Sequence, residues 1–162
     1  MPAGAEALSL WSSLDGMSAH TFRPLDDTYP DRARDTGPHA VVGGRNYGQG
    51  SSREQAALAA RHLGLRLLLA QSIARIHRAN LVNYGVLPLT FADPADHDRV
   101  HQDSVLHLSG LYESLRDGSA EVTVECDGDS FTARHDLSPR QVDVLMAGGA
   151  IPWMRRRLSG GD

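Results

Sequence analysis

The chain has 162 residues, 41% of them hydrophobic and 22% charged, with a formal net charge of −4. That length fits one domain spanning 1–162 and lets the fold bury roughly 70% of its unfolded surface, while the negative balance argues against a general nucleic-acid footprint. No apolar run approaches the ~20 residues of a membrane span, no basic-then-apolar leader opens the chain, so a cytoplasmic protein is expected, and all 16 basic residues are arginine, which excludes Schiff-base and phosphate-loop lysine chemistry.

Residues 1–25 mix Leu8, Leu10 and Trp11 with Ser, Gly and Pro, and read as an extended lead segment with a short strand. Asp27 to Thr36 reads as a short helix with Asp27 as its cap and Pro30 in its first turn, ended by Gly37-Pro38. His39 to Gly44 is a buried-strand candidate. A glycine-rich loop follows, then an alanine-rich helix from Ser51 to His62 closed by Gly64. Leu65 to Ala70 is a second buried strand, Ala74 to Asn83 a second helix closed by Gly85, and Val86 to Phe91 a third strand. Strand–helix–strand–helix–strand implies parallel pairing with right-handed crossovers.

The second half changes character. Asp93-Pro94 starts a helical turn running to about His101. Ser104–Leu108, Ala120–Cys126 and Ser130–His135 read as strands, with Asp127-Gly128 as the hairpin turn between the last two. Cys126, the chain's one cysteine, excludes a disulfide framework and a four-cysteine metal site, and in such a strand is expected to be a small core residue. Ser138-Pro139-Arg140-Gln141 is a capping box with proline at N1, opening a helix to about Ala147. The tail at 156–162 is expected to be frayed. His97 and His101, four apart beside Asp93, Asp96 and Asp98, have metal-ligand spacing but no fixed third ligand, and a solvated turn is favoured. Arg155-Arg156-Arg157 is expected to be a solvated end.

The richest local pattern is Asn46-Tyr47-Gly48-Gln49-Gly50-Ser51-Ser52-Arg53-Glu54. Two glycines lead into adjacent hydroxyls and a guanidinium where a helix begins. The bland reading is a capping box, Ser51 with Glu54, preceded by turn glycines. The sharper one is an anion site, because free backbone N–H groups and the helix dipole gather at such a terminus.

The stretch Val41 to Leu58 resembles the swivel domain of the aconitase family, and so does Gln71-Ser72-Ile73-Ala74-Arg75-Ile76-His77-Arg78-Ala79-Asn80 onward to Phe91. The resemblance runs from about Pro2 to Arg155 and is nearer to aconitases than to isopropylmalate isomerase small subunits. It implies a three-layer β/β/α swivelling domain, α/β in class, with a partly parallel central sheet. It implies a hydro-lyase that dehydrates and rehydrates a hydroxy-di- or tricarboxylic acid such as citrate, homocitrate or isopropylmalate. The Lewis acid would be a [4Fe–4S] cluster held by a large partner subunit or by upstream domains, with no cofactor bound by this chain. Carried over by the resemblance, Ser51 would be the general base as an alkoxide, Ser52 and Arg53 would bind substrate carboxylates, and Gln49 and Gly50 would shape the loop. Arginine suits that task because its planar fork makes two-pronged contacts.

The sequence departs from the family pattern in places. Trp11 stands where aconitases usually place an arginine that grips substrate, and Arg23 is the compensating candidate. Gln55 stands where histidine is common. The chain begins where a longer enzyme would continue upstream, so it is read either as a natural small subunit or as a domain of a longer polypeptide. His77, inside the second motif, is read as structural rather than catalytic. The rival readings are a non-catalytic domain binding carboxylates or a protein partner and, least favoured by the net charge, RNA binding.

Overall fold

The computed structural model describes residues 10, 12–50 and 54–160. Of the lead segment, residues 1–9 and 11, where the short strand could fall, lie outside the described residues; the described part carries a short helix. Helix α1, Leu14–Ser18, is capped by Ser13, whose hydroxyl accepts from the Gly16 N–H at 3.1 Å. Helix α2, Tyr29–Thr36, has Thr28 rather than Asp27 at its N-cap. The carboxylate at its entrance is Asp26, which accepts from the Thr28 N–H at 2.9 Å and its hydroxyl at 2.6 Å. These contacts, with Arg32 alongside, pull the Asp26 carboxyl down to about 2.

Six strands then build one mixed sheet. β1 (His39–Gly43), β2 (Leu65–Ala70) and β3 (Leu87–Phe91) are parallel and are linked by helices α3 (Glu54–His62) and α4 (Arg75–Asn83). A 3₁₀ turn at Pro94–Arg99, capped by Asp93, leads to β4 (Leu106–Ser109), helix α5 (Leu111–Asp117), β5 (Glu121–Cys126) and β6 (Asp129–Arg134). Helices α6 (Pro139–Met146) and α7 (Ala150–Ser159) complete the fold. The strand order is β1-β2-β3-β6-β5-β4, with β6 antiparallel to β3 and β5, and β5 antiparallel to β4.

Side-chain direction turns this sheet into layers. In β5 and β6 burial alternates, so Val122, Val124, Cys126, Phe131 and Ala133 share an inner face. They pack against Leu67, Leu69, Leu87, Leu89 and Phe91 of the parallel half. Leu68 of β2 points the other way and meets Ala57, Ala60, Leu81 and Val86 under α3 and α4. The parallel half is therefore buried on both faces, as its continuous apolar run requires. The result is the β/β/α arrangement, with the curled antiparallel half as the outer β layer.

Three further elements differ from the sequence reading. Helix α5 had no expected counterpart; it is seven residues long and flanked by Gly110 and Gly118, both left-handed. β4 begins at Leu106 rather than Ser104. The tail is helical through Ser159 rather than frayed, because the Trp153 ring lies beneath the guanidinium carbons of Arg157 at 4.9 Å and Arg140 at 5.1 Å. The capping box at Ser138 is present in both directions, and Cys126 is buried at 3% exposure.

Candidate active site

The loop Gly44–Gly50 leaves the carboxyl end of β1, the end at which open parallel sheets commonly bind ligands. It is held down by the segment that leaves the same end of β2. Asn46 N–H donates to the Ser72 hydroxyl at 2.6 Å and Tyr47 N–H to the Ser72 carbonyl at 2.9 Å. Ala74 N–H donates back to the Tyr47 carbonyl at 2.8 Å, and Tyr47 pairs with Ile73 as a one-residue parallel bridge. The two sequence motifs are thus one structural unit. Ser72 has no assigned role from sequence; its signals are its place in the second motif and two residues beyond β2.

Within the loop, Gly48 has φ +79° and Gly50 φ +137°. At Gly48 the requirement is double, because a Cβ there would lie 2.3 Å from Cγ of His77. Only glycine has both the left-handed backbone at low cost and the missing side chain.

A cavity of about 410 Å³ opens beside the loop. Gly48, Gln49, Gly50 and His77 line it, together with apolar residues that include Phe22, Ala57 and Leu81. Thr21, at 2% exposure, lines the same space with a hydroxyl that has no partner among the described residues. Burial pushes the Tyr47 phenol well above its usual range and the His77 imidazole below 6.5, so the wall next to the loop carries neutral rings at neutral pH.

Of the site residues expected from sequence, Gln49 and Gly50 are on the cavity wall. Ser51, Ser52 and Arg53 lie outside the described residues, as does Trp11; by chain connectivity the trio falls between Gly50 and the first residue of α3, Glu54. Arg23 is exposed, next in the chain to Phe22 of the cavity. His97 sits on the 3₁₀ turn with its ring edge-on to Phe91, centroids 5.8 Å apart, and Nδ1 3.0 Å from Asp98. His77, read from sequence as structural, is the residue whose proximity to the loop sequence reasoning did not find.

A cubane iron–sulfur cluster is held by several thiolates. This chain has one, and it is enclosed in the β5–β6 core, so its residues do not fit such a cluster. Among the described residues, no group of three His, Cys, Asp or Glu side chains is placed to hold a metal ion.

The layered sheet and the glycine loop at its parallel-strand ends define a swivel-type α/β domain. The same fold occurs in the crystal structure of 3-isopropylmalate dehydratase (leuD) from Methanocaldococcus jannaschii, with a TM-score of 0.72 over 91% of this chain and 80% of that one, at 22% identity. The family model for the aconitase C-terminal domain matches residues 15–94, a span that contains both motifs, and that region is of the aconitase C-terminal type. It is 45% identical over 123 residues to the putative mitochondrial aconitate hydratase of Emericella nidulans, covering 72% of this chain and 16% of that protein. It is 43% identical over 125 residues to the mitochondrial homocitrate dehydratase of Saccharomyces cerevisiae, with the same coverage of 72% and 16%. The chain therefore spans about 16% of the length of these curated relatives.

Proposed function

We propose that this chain is the swivel domain or small subunit of an aconitase-type hydro-lyase acting on a hydroxy-di- or tricarboxylic acid. The observation that supports this most directly is the glycine loop, stitched to Ser72 and Ala74 at the strand ends and leading straight into Ser51-Ser52-Arg53. A [4Fe–4S] cluster on a large partner subunit or on upstream domains would supply the Lewis acid for the leaving hydroxyl, and no step below runs through it. The compartment we propose is the cytoplasm, although the relatives above are named mitochondrial; the reducing interior of a cell would keep Cys126 a free thiol.

In this reading Ser51 removes the proton from the carbon next to a carboxylate. An isolated serine hydroxyl is far too weak an acid for that at neutral pH. Backbone N–H donors of the loop and the Arg53 guanidinium favour the alkoxide, which lowers the cost of forming it. Ser52 donates to a substrate carboxylate and Arg53 grips one in a two-pronged contact. Gln49 and Gly50 shape the approach to the trio.

The test is reconstitution with the iron–sulfur polypeptide that co-purifies from the native cell or is encoded beside this chain. Ser51→Ala should abolish turnover while leaving the fold intact by circular dichroism, and Arg53→Lys should raise KM strongly. Near-wild-type turnover of Ser51→Ala removes Ser51 as the base. No co-purifying iron–sulfur polypeptide and no turnover would instead favour the non-catalytic reading, a domain that binds carboxylates or a protein partner.

A further inference from the structure

We propose that His77 is a positioning residue for the active-site loop: its ring occupies the space that the absent Gly48 side chain leaves, and so fixes where the Ser51–Arg53 run departs from Gly50. The inference deepens the proposed function and rests on it for the catalytic consequence, but not for the interlock itself.

The interlock is tight. A Cβ on Gly48 would lie 2.3, 2.5 and 2.6 Å from Cγ, Cδ2 and Cβ of His77, so the loop backbone rides directly on the imidazole. The neighbouring Tyr47 ring is 5.6 Å from the His77 ring, centroid to centroid, tilted by 48°. His77 is the third residue of α4, and the start of that helix is tied to the loop by the Ala74-to-Tyr47 hydrogen bond at 2.8 Å. Hydrogen bonds thus fix the loop at Asn46 and Tyr47, and ring packing fixes it at Gly48. Gln49 and Gly50, which follow, line the cavity together with His77.

The contact is one of shape, and it works with a neutral ring. Desolvation holds the His77 imidazole below its ordinary value. Among the described residues, the charged or titratable groups on the surrounding elements are Arg45 and Tyr47 on the loop, Glu54, Arg61 and His62 on α3, Arg75 and Arg78 on α4, and Arg23 beside Phe22. Protonation would place a charge in a desolvated contact, at a helix N-terminus whose dipole also disfavours cations.

The experiment uses the full chain. Amide hydrogen exchange of residues 46–50 is measured in wild type, His77→Ala, His77→Phe, Gly48→Ala and the Gly48→Ala/His77→Ala double variant. Turnover of the reconstituted complex is then followed from pH 5 to 8. His77→Ala should speed loop exchange about tenfold or more, since the loop opens locally without its support. It should lower kcat about tenfold to a hundredfold, with KM changed far less, the usual cost of a catalytic group misplaced by ~1 Å. His77→Phe, which keeps the ring and cannot be protonated, should restore slow exchange and most of kcat, and should lessen the loss of rate at acid pH. Gly48→Ala should be less damaging in the His77→Ala background than alone, because the two closest collisions, with Cγ and Cδ2, are gone and only the one with Cβ remains. Unchanged loop exchange in His77→Ala overturns the proposal. So does a His77→Phe chain with slow loop exchange but kcat as low as His77→Ala, which would make the imidazole itself chemical. If wild-type complexes show no turnover, the proposed function has failed, while the exchange and double-variant results still decide the interlock.

Discussion

Gly85 closes α4, the helix that carries His77 and Leu81 to the cavity, and substituting it tests how that helix is anchored. Its φ is +71°, and a Cβ there would lie 2.5 Å from the carbonyl oxygen of Gly148 and 2.7 Å from its carbon. Both are backbone atoms, so no side chain can rotate away. Reciprocally, a Cβ on Gly149 would lie 2.7 Å from the Asn83 carbonyl oxygen. The end of α4 and the turn between α6 and α7 are therefore clasped backbone to backbone. Gly85→Ala incurs about 1–2 kcal/mol for a left-handed non-glycine residue and about 1–3 kcal/mol for overpacking, so roughly 2–5 kcal/mol in total. At this chain length each 1 kcal/mol lowers Tm by about 2–4 °C, so the expected fall is on the order of 10 °C. Gly118→Ala is the control: its φ is +75° but a Cβ would meet nothing within 4 Å, so it isolates the dihedral cost. Thermal unfolding followed by circular dichroism reads both variants. Equal Tm losses in Gly85→Ala and Gly118→Ala would refute the clasp.

The remaining predictions are smaller in scope. Ser138→Ala removes the hydroxyl that accepts from the Gln141 N–H, leaving the reciprocal bond from Ser138 N–H to Gln141 Oε1 at 2.9 Å; it should cost about 1 kcal/mol, and an unchanged Tm would show that the box contributes nothing. Cys126 is buried and desolvation pushes its thiol up, so a disulfide reagent such as DTNB should react only at the rate of unfolding; rapid native-state labelling would contradict the packing. Burial holds both His77 and His135 below 6.5 in the folded state. As pH falls through 6.5 the unfolded chain binds protons first, so the stability these groups contribute is present above 6.5 and is lost toward their depressed folded values. The urea midpoint should be lower at pH 5 than at pH 7.5, with a smaller drop in His77→Phe; identical drops in the two chains would rule out a His77 contribution.

How much of this was legible in the sequence depended on whether the deciding interactions were local. Leu65–Ala70 announces a doubly buried strand by composition alone, and Asp127-Gly128, both with positive φ, announces its hairpin. Ser138 and Gln141 satisfy each other within one turn, so that helix start was legible too. Helices α1 and α5 were not, because five and seven residues carry too little period to separate from a turn. The tail from Arg156 to Ser159 reads as frayed in sequence but is helical, because the anchor of α7, Trp153 stacked with Arg140 across the α6–α7 turn, is tertiary. The site divides along the same line. The loop's glycines, hydroxyls and arginine are contiguous, so the chemistry could be read from residues 46–54. What holds the loop could not, since Ser72 is 26 positions from Asn46 and becomes its neighbour only when β1 and β2 pair in parallel. A parallel pair needs a crossover connection of a dozen or more residues, usually built on a helix, between its strands, so adjacent strand ends must come from distant sequence. The crossover here is α3, the helix that the hydroxyl run leads into. The element that separates the two motifs along the chain is thus the one that joins their strand ends in space, and the loop and its Ser72 anchor must rise or fall together.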